Sequence, residues 1–289
     1  MCKGKLERFP RDFSKLKPVP EGIFNVYKGL YAYDKTPLNA VVESEDDASD
    51  HWKKQKVTFD AAYGNERVIA YIFLPKNFPP PFQTVVYFPA AYAIQERTSA
   101  VLTISPLNLV IKSGRAVIYP IYKGTYERGD DLPSDYQNRT ILYRDHVVAW
   151  SRDLGRTIDY LETRGDLDHQ KLAFYGLSWG AEIAPVLTAV EDRIKVEILV
   201  AGGLQFHDTL PEVEPVNFAP RVRKPVLMVN GYHDHFVPLN ISQEPLFRLF
   251  GTPEKDKRHV VVESGHALSN DLMIKEILDW LDRYLGLVK

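Results

Sequence analysis

The chain predicts an α/β fold, with a mostly parallel central sheet, helices on both faces and an N-terminal antiparallel hairpin. Three observations carry that prediction. Short apolar runs at Thr84-Val85-Val86-Tyr87-Phe88, Lys171-Leu172-Ala173-Phe174-Tyr175 and Val226-Leu227-Met228-Val229-Asn230 alternate with stretches of helical spacing. Strands buried on both faces read as continuous hydrophobic runs, and their alternation with helices implies parallel pairing. A chain of 289 residues that is 45% hydrophobic can also bury the core such a sheet needs.

The elements follow in order. Residues up to about His51 are Pro-rich and mixed, and read as an N-terminal extension (1–50) packed on or leading into one catalytic unit over 51–289. The acidic run Glu43 to Asp50 reads as a solvated loop. Lys56 to Asp60 and Arg67 to Leu74 alternate in polarity around Gly64-Asn65, the pattern of a hairpin. After Pro79-Pro80-Pro81 come the strand Thr84 to Phe88, a helix over about Ser99 to Ser113 stopped by Gly114, and the strand Ala116 to Tyr119. Val147, Trp150, Leu154, Ile158 and Leu161 recur at helical spacing and should face the sheet. Ile274, Ile277, Leu278, Leu281 and Leu285 do the same in a final helix closed by Gly286.

Composition excludes several functions. A net charge of -2 gives no bulk attraction for nucleic acid. The only cysteine is Cys2, so no disulfide framework and no thiol nucleophile are expected. The first residues lack a secretory apolar stretch and no run reaches membrane-spanning length, so a cytoplasmic protein is expected.

Gly176-Leu177-Ser178-Trp179-Gly180 joins the strand at Tyr175 to a helix over Ala181 to Val190. A serine on so sharp a turn is pushed clear of the sheet, and flanking glycines remove the β-carbons that would clash. Asp234 follows the strand run Val226 to Asn230, and His266 follows the strand run His259 to Val262. Serine, aspartate and histidine in that order, each past the carboxyl end of a strand, is the α/β-hydrolase arrangement. Neutral His266 would take the proton of Ser178, and Asp234 would fix the imidazole tautomer. Asp208, beside His207, is the alternative acid from an earlier strand. His233 and His235 flank Asp234, but no further ligands at metal spacing accompany them, so neither a metal nor another cofactor is expected. His146 reads as structural.

Acyl transfer also needs oxyanion donors. The backbone N–H of Trp179, at a helix N-terminus, is one. The other should come from the loop Pro89-Ala90-Ala91-Tyr92-Ala93, with Ala91 as the expected donor and Tyr92 as runner-up. Loops at about 120–139 and 203–221 follow strands and should shape the pocket, with Tyr92, Tyr122 and Trp179 as substrate-contacting walls. Neither loop is long enough for a cap domain.

On these motifs the chain resembles the α/β-hydrolase superfamily, near the dienelactone hydrolase and acetyl xylan esterase-like serine hydrolases. Phe59-Asp60-Ala61-Ala62-Tyr63-Gly64, Val85-Val86-Tyr87-Phe88-Pro89 and Tyr122-Lys123-Gly124-Thr125-Tyr126-Glu127-Arg128 further resemble hydrolase domains attached to some bacterial serine/threonine protein kinases. That likeness runs from about Pro20 onward and implies a possible upstream kinase domain in the natural chain, though no kinase signature lies in this one. It departs from dienelactone hydrolases in having serine, not cysteine, as the expected nucleophile, and from many esterases in lacking His-Gly-Gly or His-Gly-Tyr after the first central strand. The resemblance implies a serine carboxylic-ester hydrolase, working through an acyl-enzyme on a small-molecule ester. Absence of a cap and a floor narrowed by tyrosines and Trp179 point to short acyl chains. Two alternatives remain: a serine peptidase of prolyl-oligopeptidase type, for which no propeller and no amine-holding acidic pair is evident, and a non-catalytic module that keeps the fold.

Overall fold

Hydrogen bonding joins nine strands into one sheet in a computed structural model that describes residues 11–288. Cys2 and the start of the chain lie outside the described residues. Helix α1 (Glu21–Gly29) precedes β1 (Val41–Asp46), β2 (Trp52–Asp60), β3 (Arg67–Pro75) and β4 (Phe82–Phe88). Then come α2 (Tyr92–Gln95), α3 (Asn108–Lys112), β5 (Ala116–Ile121), α4 (Ile141–Glu162), β6 (Leu167–Leu177), α5 (Trp179–Ala189) and β7 (Val196–Val200). The chain ends with α6 (Pro215–Phe218), β8 (Val226–Gly231), α7 (Glu244–Leu249), β9 (Lys257–Val262) and α8 (Asn270–Leu285).

The strand order is β1-β2-β3-β5-β4-β6-β7-β8-β9. Pairs from β1 through β3 to β5 are antiparallel, and every pair from β5 to β9 is parallel. This is the α/β-hydrolase fold. The chain leaves β4 for β5 on one side and returns to β6 on the other, so the order reverses at β4. Crevices at such reversals, past the carboxyl ends of the strands, are where open α/β sheets bind ligands.

Helices cover both faces. On one, Val147, Trp150, Leu154, Ile158 and Leu161 of α4 are fully buried, packed with residues of α5 and the sheet. Each contributes roughly 1.5–3 kcal/mol by leaving water. On the other, Met273, Ile277, Trp280, Leu281 and Leu285 of α8 pack with α3 against Val85, Val117 and Ile198. Gly286, at φ 85°, ends α8 and donates its N–H to the Asp282 carbonyl. Among the described residues, no helix is long and apolar enough to cross a membrane.

Two expectations are corrected. The helix expected over Ser99 to Ser113 forms only over Asn108–Lys112. Pro106 disfavours helical backbone at the residue before it, and a turn from Ile104 to Leu107 takes its place. The acidic run is a loop only over Asp47 to Asp50: Glu43, Glu45 and Asp46 lie on edge strand β1. They are held by cross-strand pairs with Lys56 (2.9 Å), Lys53 (2.6 Å) and Lys54 (3.0 Å). Opposite charges facing each other across an antiparallel pair let a polar sequence form a strand.

Candidate active site

Ser178 sits between β6 and α5 with φ 52° and ψ -110°, a left-handed backbone that costs a non-glycine residue about 1–3 kcal/mol. Its neighbours hold it there. The Ser178 N–H donates to the Val200 carbonyl at 2.8 Å, and the Gly180 N–H to the Pro89 carbonyl at 3.1 Å. The turn is so tight that a β-carbon on Gly176 would lie 2.4 Å from the Gly180 carbonyl oxygen. One on Gly180 would lie 2.3 Å from the carbonyl oxygen of Phe88. Only glycine fits either position.

The elbow meets loops from two further strands. Ser178 Oγ lies 2.8 Å from His266 Nε2, and His266 Nδ1 lies 2.7 Å from Asp234 Oδ2. Asp234 is buried, and its Oδ1 accepts the N–H groups of Phe236 at 2.9 Å and Val237 at 3.2 Å. A carboxylate so fixed holds the Nδ1 proton of His266 and leaves Nε2 free to accept from the serine. Burial opposes charge on the imidazole. The hydrogen bond and charge of Asp234, with the charges of Glu182 and Asp135 behind it, outweigh burial and raise the His266 pKa.

The expected oxyanion donors are placed by the same turns. Trp179 opens α5, and its N–H makes no backbone hydrogen bond among the described residues. The N–H groups of Ala91 and Tyr92, at the start of α2 beyond β4, are likewise uncommitted. Gly180 bonds directly to Pro89, so the two segments are tied at their base.

The walls are where the expectation fails. Trp179 is 1% exposed, and its indole packs edge-on against Phe88 and Trp150, both at 4.8 Å between centroids. Tyr122 is fully buried and stacks on Phe88 at 4.1 Å. Both rings belong to the core beneath the site, because α5 and the strand after α3 present them to the apolar face of the sheet. Tyr92 is half-buried, with its hydroxyl 3.3 Å from that of Tyr119, which in turn meets Tyr126 at 2.9 Å. Its phenol is therefore engaged inside the fold. Much of the 203–221 loop is also core, since Leu210, Val216 and Phe218 pack with the N-terminal segment.

Polar residues that the sequence did not single out take up the space beside the triad. Glu182, one helical turn after Ser178, is 7% exposed. Gln205 donates to Glu182 Oε2 at 2.5 Å and to the Asp135 carbonyl at 3.2 Å, and accepts from the Gln137 N–H at 2.8 Å. Burial pushes the Glu182 carboxyl up to about 7. Burial also raises Asp135, which feels His207 and His266. The available signal was spacing: a glutamate four residues after an elbow serine shares its helix face.

The remaining candidates lie elsewhere. Asp208 is largely exposed and pairs with Arg11 at 3.2 Å. His233 pairs with Glu263 at 2.5 Å, and His146 bonds the Leu142 carbonyl at 2.8 Å and Asp130 at 3.0 Å.

A strand-order reversal at β4, an elbow serine and a hydrogen-bonded Ser–His–Asp line define an α/β-hydrolase. The chain belongs to the dienelactone hydrolase family, whose model matches residues 68–271. That membership makes it a carboxylic-ester hydrolase. It is similar to a Yersinia pestis protein named as a carboxymethylenebutenolidase, 26% identical over 215 residues that span 70% of this chain and 74% of the relative. Its fold is similar to an acetyl xylan esterase of Paenibacillus, with TM-score 0.67 and 16% identity over 94% of this chain and 98% of the other. Acetyl xylan esterase 1 of Thermoanaerobacterium gives TM-score 0.70 and 14% identity, over 93% and 96% of the two chains.

Proposed function

We propose that the protein is a serine esterase that works through an acyl-enzyme. The observation that supports this most directly is the hydrogen-bonded line from Ser178 through His266 to Asp234. Ser178 Oγ attacks the ester carbonyl as His266 Nε2 takes its proton. The N–H groups of Trp179 and Ala91, or of Tyr92 in place of Ala91, receive the developing oxyanion. His266 returns the proton to the leaving alcohol, then activates a water that releases the acid.

Short acyl chains are the proposed substrates. With Trp179 and Tyr122 in the core, neither ring lines an apolar acyl channel. The loops after β5 and β7 carry no helix longer than the four residues of α6, so no cap encloses a long acyl chain in apolar walls. A panel of p-nitrophenyl esters tests this, with acetyl to butyryl expected to give the highest kcat/KM. A steady rise through long chains would instead indicate an apolar tunnel. Ser178→Ala should abolish turnover with the fold intact, and wild type should label covalently at Ser178 with a fluorophosphonate. A folded wild type that neither labels nor cleaves any ester would end the serine-esterase reading.

A further inference from the structure

Beside the nucleophile stand two acids, Glu182 and Asp135. Among the described residues, neither Glu182 nor Asp135 forms an ion pair with lysine or arginine, whereas the buried acid Asp153 is paired with Arg128 at 2.5 Å. Glu182 uses only one oxygen. Oε2 takes the amide of Gln205, while Oε1, on a side chain that is over nine-tenths buried, has no hydrogen-bond partner among the described residues. That oxygen is not sealed in the core, as the carboxylate oxygens of Glu197 are. Glu182 lies one turn along α5 from Ser178, and Gln205 ties it to the Asp135 carbonyl, so Oε1 sits beside the catalytic mouth.

Exposed aromatic rings lie on the segments that carry these groups: Phe236 follows Asp234, and Tyr136 follows Asp135. Phe236 is 55% exposed with its ring 4.9 Å from that of His266, and Tyr136 is 51% exposed with its ring 5.1 Å from His207. Exposed rings beside uncompensated carboxylates are the chemistry that holds an organic cation, by charge and by ring quadrupole together. A neutral ligand would leave the Oε1 lone pairs without a counter-charge.

We propose that Glu182 and Asp135, with the rings of Phe236, Tyr136 and His207, form a subsite for an ammonium group carried by the ester substrate. This deepens the serine-esterase reading and rests on it. Gln205 sets the geometry by tying helix α5 to the loop that carries Asp135 and Tyr136. Burial, with the negative charges of Asp135 and Asp234, favours the neutral form of Glu182, while Gln205 and His266 favour its ionised form. Tyr143 of α4 faces the same carboxyl and stays neutral, because burial raises its own pKa. Binding of a cation therefore pulls a proton off Glu182, and selectivity grows as pH rises through about 7.

The test compares acetylcholine with its uncharged carbon isostere, 3,3-dimethylbutyl acetate. Wild type should favour acetylcholine in kcat/KM by roughly tenfold, a change of about 1.4 kcal/mol in transition-state binding. The ratio should fall towards one in Glu182→Gln and in Asp135→Asn, and should fall on acidification from pH 8 to pH 6 in wild type. Taking the ratio removes the titration of His266, which both esters share. Calorimetric binding of choline against 3,3-dimethylbutanol supplies a readout independent of turnover. Choline binding lost in Glu182→Gln, in a protein whose wild type neither labels with a fluorophosphonate nor cleaves any ester, would sustain the subsite and end the esterase reading. Cleavage of both esters at equal kcat/KM, or a wild-type preference untouched by both substitutions, would overturn the subsite and leave the esterase reading standing.

Discussion

Asp234 divides three hydrogen bonds between two oxygens, and that division determines what an amide would do in its place. In Asp234→Asn the carbonyl oxygen can keep the N–H groups of Phe236 and Val237, which turns the NH2 towards His266 Nδ1. The ring proton is then forced onto Nε2, and Ser178 loses its acceptor. The expected kcat loss is on the order of 10⁴, as for the comparable change in a serine protease, with the unfolding midpoint little changed. A variant with near wild-type kcat would remove Asp234 from this role. The pH profile tests the electrostatics in turn. The folded His266 pKa lies above its ordinary 6.5, and turnover needs the neutral ring, so kcat/KM should fall on acidification with a midpoint above pH 6.5. Asp135→Asn removes a charge that favours the imidazolium, so its acid limb should move to lower pH. An unmoved or upward limb would show that Asp135 does not act on His266. The three triad candidates were legible because chain order and strand ends are properties of the sequence. Glu182 was not, because an acid in the first turn of a helix ordinarily reads as a partner for the helix dipole.

At the scale of elements, the elbow depends on backbone contact rather than on side chains. Gly180→Ala drives a β-carbon to 2.3 Å from the Phe88 carbonyl oxygen, in the strand that also leads to the proposed oxyanion loop. Neither strand β4 nor helix α5 can retreat without opening the sheet, so a markedly lower Tm or failure to fold is expected. Gly22 in α1 has nothing within 4 Å of its would-be β-carbon, and Gly22→Ala should leave Tm unchanged or raise it, by up to about 1 kcal/mol of stability. Thermal unfolding of the two variants checks the contrast, and equal behaviour would refute the packing argument. Trp179 makes a related point. Trp179→Ala removes a ring enclosed by Phe88 and Trp150, so the expected result is a loss of about 3–5 kcal/mol rather than a broadened acyl preference. Apolar runs revealed the central strands because burial on both faces leaves them no other composition. They could not reveal which rings the elbow helix turns inward. Strand β1 was hidden for the opposite reason, since its pairing comes from charges on a neighbouring strand.

Across the whole molecule, the N-terminal segment braces the loop that supports the site. Phe24 and Tyr31 both meet Phe218 edge-on, at 5.3 and 5.5 Å, and Phe13 lies 6.0 Å from Phe206. Polar contacts run alongside: Arg11 to Glu214 at 2.6 Å, Tyr31 hydroxyl to the Glu212 carbonyl at 2.7 Å, and Arg221 to the Val19 carbonyl at 2.6 Å. None of this was readable from a Pro-rich stretch, because the partners lie about 180 to 200 residues away and no local pattern encodes them. The consequence reaches the chemistry through Gln205, at the start of the braced loop, which holds Glu182 and the Asp135 segment. Phe24→Ala should therefore act at a distance. Truncating a buried phenylalanine costs about 3–5 kcal/mol, which lowers Tm. The freed Phe218 loop should also open locally, giving faster hydrogen exchange over residues 205–221 than over β6 and β7. A loosened Gln205 leaves Glu182 and Asp135 less well placed, so kcat/KM should fall while fluorophosphonate still labels Ser178. If Phe24→Ala lowers Tm while exchange over 205–221 stays as slow as in the neighbouring strands, the N-terminal segment stabilises the fold without supporting the site.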